Sequence, residues 1–172
     1  MAGITASLTA RGFAVVEPGW PESPVHRLRR EDDVIDVLVA DHLPKHARPR
    51  LRRPVMAVDG GAQALARTQR AVIEHDGGPV ELTVPDLLGA LVLKAAAHMA
   101  DRRDRERHLR DAALLASLIT DHQRELGRLQ GSDRKRLRHL NDALIDPVDD
   151  AWLLLPDHAR RAGQDTLRIL SA

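Results

Sequence analysis

Along the first half of this chain apolar residues come in short runs broken by turn residues, and along the second they recur every three or four positions. Strands are therefore predicted before helices. The opening ITASLTARGFAVVE reads as the last turns of a helix from about Ile4, ended by Gly12 and running into a strand at Phe13 to Val16. PGWPESP makes a turn, after which VHRLRR (25–30) and DVIDVLVA (33–40) are set as an antiparallel hairpin closed at Glu31 and Asp32. HLPKHARPRLRRP (42–54), with three prolines, reads as a surface connection. VMAVD predicts a short strand and GGAQALARTQ a short helix opened by Gly60 and Gly61. RAVIEH and VELTV flank DGGP, whose glycines supply the positive φ angles that hairpin turns require.

From Asp86 the period lengthens. DLLGALVLKAAAHMAD follows Pro85 and predicts a helix capped by Asp86 and reaching about Ala100. Further helices are predicted over about 104–120, 121–129, 133–145, 147–155 and 157–170, with Ser132 and Asp146 as caps and Pro147 in a first turn. The expected fold class is α+β: a small, mostly antiparallel sheet in a strand-rich part over residues 1–84, then a helical C-terminal half over 85–172.

Three charges interrupt this pattern. Alternation in VIDVLV puts Val34, Asp36 and Leu38 on one face of a strand and Ile35, Val37 and Val39 on the other, so both faces are largely apolar. A carboxylate there needs compensation, either from a metal or from a salt bridge to Arg27 or Arg29 on a neighbouring strand. Lys94 is the lone charge between Asp86 and Asp101, on a stripe with Leu87, Leu91 and His98. It either holds a phosphate as a point charge or snorkels from the edge of a core face. Asp111 ends the charged run DRRDRERHLRD just where AALLASL turns apolar, placed to orient Lys94 or an arginine, or to bridge two helices. Four-apart pairs are expected within that run, Asp104 with His108 and Arg107 with Asp111.

Composition narrows the function classes. With Phe13, Trp20 and Trp152 as its only aromatic residues, the chain cannot use base stacking as a main recognition device, and aliphatic side chains must fill its core. The formal charge of +1, from 26 basic and 25 acidic residues, argues against a nucleic-acid coat protein. Two basic patches remain, Lys45 to Arg53 and Arg134 to Arg138, each read as a solvated surface unless both serve an RNA partner. There is no cysteine, hence no disulfide and no thiolate metal site. No stretch approaches a membrane span or a signal peptide, so a cytoplasmic protein without a membrane partner is expected. His42 and His46 are separated by Pro44, and neither a His-Glu-x-x-His pair, a Walker loop, a Gly-x-Ser-x-Gly elbow nor a Gly-x-Gly-x-x-Gly turn occurs.

Taken together, HRLRREDDVIDVLVAD, GGAQALARTQRAVIE, PDLLGALVLKAAAHMADRRDRERHLRDAALLASLI and SDRKRLRHL resemble the AbiEii-type nucleotidyltransferases, toxin components of type IV toxin-antitoxin systems, over about residues 5–145. The resemblance implies transfer of a nucleotide from a nucleoside triphosphate to an RNA or protein acceptor, with Mg2+ as cofactor and a cognate antitoxin as partner. It implies that Asp36 is a catalytic, metal-facing acid, that Lys94 meets nucleotide phosphate, and that Asp111 belongs to the catalytic site. The family's Gly-Ser turn and Asp-x-Asp pair do not precede Asp36. GSDRKRLRHLNDALID imitates their start only, with Asp142 and Asp146 spaced for a helix. The front of the fold is thus expected to be missing, catalysis weak or absent, and a sheet edge left open to self-association or another partner. A non-catalytic interaction protein, or one that binds nucleotide or RNA, is the alternative.

Overall fold

The computed structural model describes residues 2–20, 23–42 and 56–172. The basic stretch Lys45 to Arg53 and His46 lie outside them. The chain divides into two compact units, 1–62 and 63–172.

In the first unit, helix α1 (Ala2–Thr9) is followed by Gly12 at φ 87° and by a three-stranded antiparallel sheet. Its strands are β1 (Ala14–Val15), β2 (Arg27–Arg30) and β3 (Asp33–Asp36), in that order. The expected hairpin forms, with Glu31 at φ 53° in its turn and Arg27 opposite Asp36. Phe13, Leu28 and Val37 form a small core, joined by Leu8, Val15 and Ile35. The strand expected over 33–40 is broken: it leaves β2 after Asp36, and β4 (Val39–Ala40) pairs in parallel with β5 (Ala57–Val58). The glycine turn then opens helix α2 (Gly61–Leu65), as expected. Gly60 has φ 79°, and a Cβ on Gly61 would lie 2.9 Å from the Ala40 Cα.

The second unit begins with an antiparallel ribbon of β6 (Thr68–Ile73) and β7 (Val80–Pro85). Six helices follow: α3 (Leu87–Ala100), α4 (Arg105–Leu118), α5 (His122–Arg128), α6 (Asp133–Ala143), α7 (Asp150–Leu153) and α8 (Asp157–Ser171). Their core is aliphatic, built on Leu88, Leu91, Val92, Leu137, Leu140, Leu167 and Leu170 around Trp152, whose indole N–H donates to the Leu144 carbonyl at 3.0 Å. Gly163 of α8 allows the close approach, since a Cβ there would meet the Trp152 ring at 2.7 Å. Asp86 caps α3 by accepting from the Gly89 N–H. Helix α7 is shorter than its pattern predicts. Asp146 closes a turn onto the Val148 N–H, and Asp149, rather than Asp146, provides the side-chain cap. Ser132 occupies the cap position of α6 without a side-chain cap bond.

The architecture is α+β, with small sheets, mostly antiparallel, and a helical C-terminal half. Among the described residues no helix is long and apolar enough to cross a membrane.

Candidate functional site

Lys94 and Asp111 meet. α3 and α4 pack side by side through Leu91, Ala95, Ala112 and Ala116, and small residues at that seam let the two helices approach closely. The seam sets the Lys94 ammonium 2.5 Å from a carboxylate oxygen of Asp111. Lys94 is 30% exposed and Asp111 36% exposed, so the pair sits at the rim of the core rather than within it. An ammonium has three N–H donors, and one bond to Asp111 leaves others for an incoming anion. Asp111 thus pairs across the seam with Lys94 rather than along its own helix with Arg107. His108 likewise turns from Asp104 to Asp101, at 3.4 Å.

Asp36 belongs to the other unit and is differently engaged. Its face of β3 is the exposed one, with Val34 and Leu38 also exposed, while Ile35 and Val37 point inward. Arg27, directly opposite on β2, donates from Nε and Nη2 to the two carboxylate oxygens at 2.8 and 2.9 Å. This fork-to-fork bond holds the Asp36 carboxyl below the usual carboxylate range. Of the compensations open to Asp36, the salt bridge to Arg27 is the one formed. Among the described residues no group of three or more His, Cys, Asp or Glu side chains is placed to hold a metal. The donor set around Asp36 therefore does not fit a Mg2+ centre.

The buried acid of the same segment is Asp41, 8% exposed, whose oxygens accept from the Gly60 and Ala62 N–H groups at 2.8 and 2.9 Å. It ties β4 to the glycine turn. Alternation could not single it out, since its donors are backbone groups far along the chain.

A second arrangement missed by pattern lies where the ribbon joins the helices. Arg67, just before β6, bonds Asp133 at 2.5 Å and the Arg128 carbonyl at 2.6 Å, with Arg67 7% and Asp133 0% exposed. Arg128 in turn bonds both Asp86, at the head of α3, and Glu125, and these carboxylates raise its pKa. His98 of α3, 6% exposed, meets His139 of α6 with ring nitrogens 2.9 Å apart. Burial first, then Arg105 and the neighbouring His139 and His108, lower the His98 pKa.

No family model, curated protein or solved structure matches this chain. The function rests on the side chains.

The basic patch of α6 is partly committed within the fold. Arg134 donates to the Ala172 carbonyl at 2.5 Å, and Arg138 reaches the Ser171 carbonyl at 3.5 Å. Both neutralise the unsatisfied carbonyls at the end of α8.

Proposed function

We propose that the chain is a nucleotidyltransferase-like protein of the AbiEii toxin type whose helical unit keeps a phosphate-binding element and whose own transfer activity is weak or absent. The observation that supports this reading is the Lys94–Asp111 pair, which brings an ammonium and a carboxylate together at the seam of α3 and α4. Lys94 binds the phosphates of a nucleoside triphosphate with the donors that Asp111 leaves over. Asp111 acts as a positioning residue, holding the ammonium against rotation about its flexible stem. The acceptor is an RNA or a protein, as the resemblance implies. No step is assigned to Mg2+, for which Asp36 is not arranged.

Isothermal titration of the full chain with each nucleoside triphosphate, with and without magnesium, tests this. Saturable binding lost in Lys94→Ala, weakened in Asp111→Asn and retained in Asp36→Ala is the expected result. Absence of saturable binding for every nucleotide overturns it.

A second reading is favoured by the engagement of both Asp36 carboxylate oxygens with Arg27. It makes the chain a non-catalytic interaction protein. Wild type and Lys94→Ala that both ignore nucleotide, with unaltered folding, would support it.

A further inference from the structure

The β6–β7 ribbon has no third strand against either edge among the described residues. Two-stranded ribbons are marginal by themselves, and an unpaired edge is a template for another strand. The register pairs Ala71 with Leu82, Ile73 with Val80 and Gln69 with Val84, so alternation places Ala71, Ile73, Val80, Leu82 and Val84 on one face. Ile73, Val80 and Leu82 of that face are exposed, at 49%, 40% and 41%. On the opposite face Arg70 bonds Glu81 at 3.3 Å and Val72 is 61% exposed.

From this we infer that the β6 edge is a self-association surface, pairing antiparallel with β6 of a second copy about a two-fold axis at Val72. The sequence of the edge is self-complementary about that residue. Pairing Val72 with its copy sets Arg70 opposite the partner's Glu74 and Ala71 opposite the partner's Ile73, each contact occurring twice. Glu74 is exposed and makes no ion pair of its own among the described residues. Moving the axis one residue towards the N-terminus sets Val72 against Arg70, and one towards the C-terminus sets it against Glu74, so neither alternative matches charge with charge and apolar with apolar. The β7 edge lacks this property, since a two-fold at Leu82 would face Glu81 with Thr83. The result is a four-stranded sheet ordered β7–β6–β6–β7, with the apolar face doubled in width. This inference is independent of the nucleotide reading.

Sedimentation velocity over a concentration series, combined with cysteine cross-linking, tests it in the cysteine-free chain. Directly opposite residues of antiparallel strands have Cα atoms about 4.5–5.5 Å apart, inside the disulfide range of about 4.4–6.8 Å. The wild type is expected to dimerise and Val72→Cys to form a covalent dimer under mild oxidant. Thr68→Cys, which would face position 76 of the partner, is expected not to. Glu74→Lys, which sets like charges opposite one another, is expected to give a monomer with unchanged circular dichroism, and adding Arg70→Glu to restore the dimer. A wild type that stays monomeric, a dimer indifferent to Glu74→Lys, or equal cross-linking at positions 68 and 72 would overturn the proposal.

Discussion

Asp36 and Asp133 show how differently the same carboxylate behaves with exposure. Asp36 lies on an outward face, and its bond to Arg27 is an exposed pair, screened by solvent and of little weight in stability. Asp133 is wholly buried with Arg67, where removing one partner strands a charge away from water. Asp133→Ala is therefore expected to destabilise the protein by about 3–5 kcal/mol in urea denaturation. A matched apolar pair, Arg67→Met with Asp133→Leu, is expected to recover most of the loss, because neither charge then remains to be desolvated. Lys94 and Asp111 fall between these extremes, held yet accessible, as a ligand-binding pair must be.

At the scale of elements, the contact of α3 with α6 carries a pH dependence of known sign. His98 faces His139 across that contact, with the Arg105 guanidinium and the His108 ring nearby and Asp101 bonded to His108. Two imidazoles sharing one hydrogen bond need one ring to accept, so protonating both sets donor against donor. The folded pKa of His98 is below its unfolded value, so its contribution to stability is fully present above pH about 6.5. It is lost as pH falls from there through the folded value. Denaturation midpoints measured across this window are expected to drop for the wild type and to change less for His98→Gln. The longer helices were legible because their 3.6-residue period is sustained and Asp86 stands at a cap. The start of α7 was not, since Asp146 and Asp149 are both plausible caps and the choice depends on which backbone N–H each carboxylate reaches.

At the scale of the molecule, strand-then-helix order could be read from the sequence, whereas the meeting of Lys94 with Asp111 was one of several pairings it left open for that acid. The division of the described strands among three separate sheets could not be read, because two-residue bridges such as β4 with β5 have no period. Nor could the Arg67–Asp133 bond, whose partners are far apart along the chain. For Asp36 the sequence left a metal and a salt bridge both open, because alternation shows which residues share a face but not which face meets solvent. The two tryptophans offer an optical consequence of the division into units. Trp20, 77% exposed, belongs to the first unit, and Trp152, 0% exposed, to the second, in a chain without tyrosine. Each unit thus carries one natural fluorophore, the first wet and quenchable by acrylamide, the second shielded and emitting further to the blue. Replacing Trp20 by phenylalanine leaves a single emitter that watches the helices alone.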